Sequence, residues 1–136
     1  MSPATGIVYA NITLFSPDRV RNELVRLVVD TGSVLTWIPG DTAERLGLEP
    51  QETMRFRTID GGIVHRPIAD CFVECQGVRG SIPIVFAREA DARVLGVTAM
   101  ERLGLEVDPQ TGTLNRIDAY LALTAAYTVR GSVISP

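Results

Sequence analysis

The chain has 136 residues, of which 46% are hydrophobic and 21% are charged, and this is enough apolar material for the core of one domain. All thirteen basic residues are arginines, and the formal net charge is −3. This charge balance does not favour nucleic-acid binding, and the missing lysine excludes Schiff-base catalysis, Ser-Lys dyads and lysine-containing phosphate loops. The single histidine excludes metal sites built on a histidine pair.

The two cysteines predict neither a disulfide nor a metal site. On one strand, Cys71 and Cys75 would lie about 13 Å apart, which is too far for a disulfide. No further cysteines or paired histidines are present to complete a metal site, so we expect reduced, structural thiols. Residues 1–6 lack the pattern of a signal peptide, and Ala119–Val129 has about half the length of a membrane helix. These features predict a cytoplasmic protein with no membrane partner.

Nine segments that are rich in β-branched and other apolar residues, and are separated by turn-forming residues, predict strands. They are Ile7–Phe15, Glu23–Val29, Ser33–Pro39, Met54–Ile59, Ile63–Val73, Val78–Phe86, Val94–Gly96, Leu105–Val107 and Thr113–Ile117. The first two are expected to pair as a hairpin. The glycine pair Gly61-Gly62 predicts a second hairpin between the fourth and fifth segments, because tight turns need positive φ angles.

Two short helices are predicted from the spacing of a capping box, in which two side chains three positions apart hold the first free N–H groups. The first helix, Thr42–Leu46, follows Asp41 and ends at Gly47, and the second opens at Thr98 and ends at Gly104. The two helical segments resemble each other, with one inserted residue, which favours an internal duplication. The predicted fold class is a mostly-β domain with two short helices.

A candidate site follows the apolar run that ends the second predicted strand. Leu27–Val29 delivers Asp30 to the end of a strand, where burial would penalise its charge. Thr31 is expected to bury a hydroxyl that locks the loop, and Gly32 lets a backbone N–H approach the carboxylate. Ser33 is expected to donate to the carboxylate and so favour its ionised form. From these residues alone, an ordinary turn in which Asp30 caps exposed N–H groups is an equally good interpretation.

The residues around this loop carry a resemblance to a known family. Asp30-Thr31-Gly32-Ser33, with Val28-Val29 before it and Trp37-Ile38-Pro39 after it, resembles the active-site loop of aspartic peptidases. Val94-Leu95-Gly96 resembles the element that crosses behind that loop, and Asp60-Gly61-Gly62 stands where the family has its flap hairpin. The resemblance spans roughly residues 5–117. It implies a retropepsin-like fold, a closed or partly open β-barrel in a domain of residues 1–117, with a tail of residues 118–136.

The resemblance also implies a function. The sequence holds one Asp-Thr-Gly and has about half the size of a two-lobed pepsin, whereas this chemistry needs two carboxylates. A retropepsin-like homodimer is therefore expected, in which Asp30 of each subunit activates water to hydrolyse a polypeptide, without a metal or other cofactor. With Ser33 favouring the ionised form, the activity optimum is expected somewhat below neutral pH. Whether residues 118–136 join the dimer interface is left open.

The same resemblance assigns residues that would contact the substrate. The flap that closes over an extended peptide is expected to consist of Ile59, Asp60, Gly61, Gly62 and Ile63. Asp60 would favour a basic substrate residue, and apolar subsites are expected at Leu35, Ile63 and Ile84. His65 is expected to face solvent and to have no part in catalysis.

Two alternatives remain open at this point. The first is a non-catalytic domain of the same fold that dimerises or binds peptides. The second is a hydrolase of another type, in which Asp30 works with a distant acid such as Asp70 or Glu74. The sequence Asp108–Gly112 also contains Asp, Thr and Gly, but Pro109 and Gln110 separate the first two, so we predict a β-turn there without chemistry.

Overall fold

A computed structural model describes residues 6–117, of which 52% lie in strands and 12% in two helices. Each predicted strand is present, with ends that shift by up to three residues, and the mostly-β class is confirmed. The predicted tail, residues 118–136, lies outside the described residues. The strands are β1 (Tyr9–Phe15), β2 (Asn22–Val29), β3 (Thr36–Pro39), β4 (Glu52–Arg57), β5 (Ile63–Cys75), β6 (Val78–Ala87), β7 (Val94–Leu95), β8 (Leu105–Asp108) and β9 (Thr113–Arg116). The helices are α1 (Gly40–Arg45) and α2 (Val97–Leu103).

Seven of these strands form one sheet that closes on itself. Their order is β1-β2-β7-β3-β6-β5-β4, and β1 also pairs with β5, so that six strands make a ring and β4 lies at its edge. Strands β8 and β9 form a separate hairpin. This ring-like sheet agrees with the retropepsin-like barrel that the resemblance implies.

The core fills the inside of the ring. Alternate residues of each strand point inward, because successive side chains of a strand lie on opposite faces. Cys71 and Cys75 belong to this inward set on β5, and both are free and buried. Burial raises the pKa of the Cys71 thiol to about 11, which agrees with a structural, unreactive cysteine. The fully buried apolar side chains are Ile12, Leu14, Leu27, Ile38, Leu46, Val73, Ile82, Ile84, Val85 and Leu95.

Both predicted capping boxes are wrong, although both helices exist. Helix α1 begins at Gly40 and α2 at Val97, and neither N-cap residue makes a side-chain hydrogen bond. Asp41 accepts from the Thr42 N–H at 2.9 Å, as expected of it, but it lies inside α1 rather than at its cap. Each chain segment passes almost directly from a strand into the helix, so the helix starts before the predicted capping residue. The predicted C-terminal ends of the helices agree better with the structure than the predicted starts do. Gly47 and Gly104 have the positive φ angles (78° and 66°) that terminate helices. Neither α1 nor α2, the helices within residues 6–117, is long and apolar enough to span a bilayer.

The two similar helical segments occupy equivalent places in the sheet. Helix α1 follows β3, which lies parallel to β6, and α2 follows β7, which lies parallel to β2. Trp37 of β3 and Val94 of β7 face each other where these two short strands meet in antiparallel pairing. The internal duplication predicted from the sequence stays a prediction.

Ile84 was predicted to line a substrate subsite, and this prediction is wrong. The residue lies in the middle of β6 with no exposed surface, because β6 is covered by neighbours on both sides of the ring. We therefore expect Ile84→Ala to lower the free energy of unfolding by about 2–5 kcal/mol. Urea denaturation would measure this loss, with Ile63→Ala as the control, since Ile63 is 43% exposed. A stable Ile84→Ala variant with impaired peptide binding would contradict the assignment.

Candidate active site

The loop that carries Asp30 is fixed by backbone hydrogen bonds at both ends. Asp30 directly follows β2, and its N–H donates to the carbonyl oxygen of Leu95 on the parallel strand β7 at 2.9 Å. The carbonyl oxygen of Asp30 in turn accepts from the N–H of Ser33 at 3.0 Å, which closes a tight turn. The carboxylate is therefore set at the end of β2 by the pairing of β2 with β7.

Gly96 crosses directly behind this loop. A Cβ atom at position 96 would lie 2.3 Å from the carbonyl oxygen of Leu35 and 2.8 Å from that of Ser33, so only glycine fits. The Gly96 N–H donates to the buried Oγ1 of Thr36 at 3.0 Å, and the Val97 N–H donates to the Ser33 carbonyl at 2.8 Å. The segment named from the sequence as crossing behind the loop is placed there by the structure.

The Asp30 carboxylate accepts a hydrogen bond from the N–H of Gly32 at 2.9 Å, and a Cβ on Gly32 would lie 3.3 Å from the accepting oxygen. This is the close backbone approach predicted for Gly32. The predicted burial of Asp30 is wrong for the single chain, because β2 ends at the surface of the domain and Asp30 is exposed.

Two further expectations for the loop are wrong in this chain. Thr31 is exposed rather than buried. The Ser33 hydroxyl donates to the carbonyl oxygen of Leu35 at 2.7 Å rather than to Asp30, because the loop turns back and brings that carbonyl within reach. The acidic activity optimum therefore stays a prediction that Ser33, as placed here, does not support.

Asp30 borders an open groove of about 630 Å³. Its sides are the Asp30 loop, the β4–β5 hairpin and the loop of residues 88–93 between β6 and β7. The Trp37 and Phe56 rings meet here, with their centroids 4.8 Å apart. A groove of this composition suits apolar side chains of a bound molecule. Its apolar lining consists of Val34, Leu35, Trp37, Met54, Phe56, Ile59, Val64, Ala92 and Val94.

The β4–β5 hairpin stands where the flap was predicted. The Thr58 N–H donates to the carbonyl oxygen of Gly62 at 2.8 Å, and Gly61 takes a φ of 92° in the turn. Asp60 accepts from the Thr58 hydroxyl and from the Gly62 N–H, and the Thr58 bond lowers the pKa of Asp60. Of the five predicted flap residues, Ile59 borders the groove and the others do not. The predicted role of Asp60 with a basic substrate residue therefore lacks support in this chain.

The family of the chain follows from a family model described as aspartyl protease, which matches residues 17–95. The chain belongs to this aspartyl protease family. The matched segment includes the Asp30 loop, the β4–β5 hairpin and both residues of β7. No match was found among curated proteins. The family gives the chain its general chemistry, which is hydrolysis of peptide bonds in polypeptides.

The acids proposed as alternative partners of Asp30 do not border the groove of this aspartyl protease. Asp70 lies on β5 and borders a different surface depression, and Glu74 forms an ion pair with Arg79 at 2.7 Å. His65 is exposed on β5, as expected. Asp108 holds the β8–β9 turn by accepting from the Gln110 N–H at 2.9 Å, as predicted for a residue without chemistry.

An ion pair beside the groove was missed by the sequence analysis. The Arg66 guanidinium donates from Nε to Oδ2 of Asp91 at 2.6 Å and from Nη2 to Oδ1 at 2.9 Å. The two side chains are 9% and 16% exposed, and Asp91 borders the groove. They are 25 positions apart in unlike settings, a strand and a turn, so no local sequence signal connects them.

The crossing behind the loop predicts the effect of one added methyl group. We expect Gly96→Ala to lower the free energy of unfolding by more than about 3 kcal/mol and to displace Asp30, because its Cβ would overlap two carbonyl oxygens. Thermal unfolding would measure the loss. Gly6→Ala is the matched control, since a Cβ there has no neighbour within 4 Å. Equal melting temperatures of the two variants would contradict the close approach.

The Arg66–Asp91 pair predicts a pH dependence of stability. Hydrogen bonding from Arg66 lowers the pKa of Asp91 below its usual 3.8, so the pair stabilises the fold in full above that value. Its contribution is lost as the pH falls through the lowered pKa. We expect Asp91→Asn to cost about 2 kcal/mol at neutral pH and progressively less as the pH falls below 3.8. Urea midpoints over pH would test this against Asp70→Asn, and a difference that persists at the acid end would contradict it.

Proposed function

We propose that the chain is an aspartic endopeptidase that works as a homodimer, with Asp30 of two subunits forming the catalytic pair. The observation that carries the proposal is that the groove offers one carboxylate for chemistry. Among residues 6–117, Asp30 and Asp91 are the acids that border it, and both oxygens of Asp91 are engaged by Arg66 and by the Arg88 N–H. The second catalytic carboxylate must then come from elsewhere, and a second copy supplies it.

Two facing carboxylates perform the reaction by sharing one proton, for which aspartic proteases are the standard example. The ionised carboxylate takes a proton from water as the water oxygen attacks the carbonyl carbon. The protonated carboxylic acid gives its proton to the carbonyl oxygen, which yields a tetrahedral diol. Proton transfer to the amide nitrogen then breaks the C–N bond and releases an amine and a carboxylic acid.

The exposed face of the Asp30 loop supports the dimer. Asp30, Thr31 and Gly32 are exposed, and Val34 is 66% exposed in the single chain. A two-fold axis beside the loop would bring the Asp30 residues together and cover these residues with their own copies. The burial predicted for Asp30 and Thr31 would then arise from the partner rather than from the chain itself.

The groove supports an extended polypeptide as the substrate. A peptide in strand conformation can pair with backbone groups of the β4–β5 hairpin while its apolar side chains enter the groove. Residues 1–117 are the protease domain of the proposal, with residues 118–136 as a separate tail. The proposal places the protein in the cytoplasm, because Cys71 and Cys75 are free thiols.

Asp30→Asn tests the catalytic role. Wild type should cleave members of a mixed peptide library between about pH 3 and 8, and Asp30→Asn should lower the rate at least about a thousandfold, because amides cannot share the proton. Asp108→Asn is the matched control and should retain activity, since Asp108 belongs to the β8–β9 turn. Undiminished cleavage by Asp30→Asn would refute the assignment.

Mixing the two proteins tests whether the site is shared. At concentrations where wild type is fully dimeric, adding an equal amount of Asp30→Asn should lower the activity to about half, because random pairing turns half of the dimers into inactive heterodimers. At lower concentrations, where the dimer dissociates, the activity per chain of wild type should fall on dilution. Unchanged activity on mixing would favour a single-chain site, and a folded dimer that binds peptides without cleaving them would favour the non-catalytic alternative.

A further inference from the structure

The Arg66–Asp91 pair connects two sides of the groove that the sequence separates. Arg66 lies on β5 directly opposite Met54 of β4, two pairs further from the turn than Phe56 and Val64. These four residues share one face of the hairpin because they alternate along the strands. Three of them border the groove, while Arg66 is buried and reaches across to Asp91 in the 88–93 loop.

The loop that receives Arg66 is held in a fixed shape. The Asp91 N–H donates to the Arg88 carbonyl at 2.9 Å, and the Arg88 N–H donates back to Oδ2 of Asp91 at 2.8 Å. Ala92 and Val94, which follow, border the groove, and Val94 pairs with Trp37. The loop is thus anchored to the sheet at one end and to the hairpin through Asp91.

We propose that Arg66 and Asp91 are positioning residues that set the distance between the β4–β5 hairpin and the 88–93 loop, and thereby the affinity for the apolar substrate side chain between them. This inference rests on the proposed function for its substrate. The pair touches no reacting atom, because both carboxylate oxygens of Asp91 are engaged within the chain. Its effect should therefore appear in binding rather than in the chemical step.

Trp37 gives a measure of this distance that needs neither substrate nor activity. It is the one tryptophan of the sequence, it borders the groove and its ring packs on Phe56 of the hairpin. If the pair holds the hairpin, Asp91→Asn should increase quenching of Trp37 fluorescence by acrylamide. The substitution keeps one side-chain oxygen for the Arg88 N–H but removes the charge and one acceptor that Arg66 uses.

The kinetic arm uses a fluorogenic peptide chosen from the cleaved library. We expect Asp91→Asn to raise KM about tenfold and to change kcat by less than about twofold, because a displaced wall weakens binding without altering the catalytic carboxylates. Arg66→Lys should have a smaller effect, since lysine keeps the charge without the two-pronged geometry. The double variant Arg66→Met/Asp91→Asn should be no worse than Asp91→Asn, because the two residues act as one unit.

Glu74→Gln is the matched control. It removes the ion pair between Glu74 of β5, the strand that also carries Arg66, and Arg79 of β6. Neither residue borders the groove, so the substitution should change neither the quenching of Trp37 fluorescence nor KM. If Asp91→Asn does not fold, both the fluorescence quenching and the kinetics are measured on Arg66→Lys. Unchanged Trp37 quenching and KM in a folded pair variant would overturn the inference, as would a fall in kcat at constant KM. A wild type that cleaves nothing would refute the proposed function, while the fluorescence arm would still decide the spacing role.

Discussion

The close approach of Gly96 to the Asp30 loop is the constraint on which the rest of the site depends. A Cβ atom at position 96 would lie within 3 Å of the carbonyl oxygens of Ser33 and Leu35. The two backbone segments therefore cross in direct contact. The parallel pairing of β2 with β7 brings the two segments together, and the pairing of β3 with β6 fixes the strand that follows the Asp30 loop. The position of Asp30 thus follows from sheet pairing, and the Gly32 N–H then orients its carboxylate.

The local parts of this arrangement are readable from the sequence. Alternating apolar residues and turn glycines predict the strands, and the order Asp-Thr-Gly-Ser, Trp-Ile-Pro and Val-Leu-Gly predicts the loop and its crossing. The helix ends at Gly47 and Gly104 follow from the tolerance of glycine for positive φ. The strands and helix ends depend on atoms within a few residues of one another, whereas the crossing of Gly96 behind the loop is implied by the family resemblance.

Contacts that depend on the folded path of the chain escape such an analysis. Ser33 donates to Leu35 because the loop folds back, and the sequence equally allowed it to reach Asp30. Ile84 has the apolar character of a subsite residue, yet the ring closes around it and makes it core. Arg66 and Asp91 meet only because β5 and the 88–93 loop border the same groove. The sequence shows which residues could make these contacts, but the partner that each one meets depends on the three-dimensional arrangement of the strands and loops.

Strand β5 runs without interruption from the turn of the β4–β5 hairpin, past the buried Cys71, to Val73 and Glu74, which close the ring against β1. An insertion or deletion of one residue within it would turn every following side chain to the opposite face and expel the core. The length of the β4–β5 hairpin can therefore change during evolution or by engineering only at its tip. There, a Cβ at Gly61 meets no other atom within 4 Å, and added residues have room in solvent. Changes in the length of the hairpin are therefore confined to its turn.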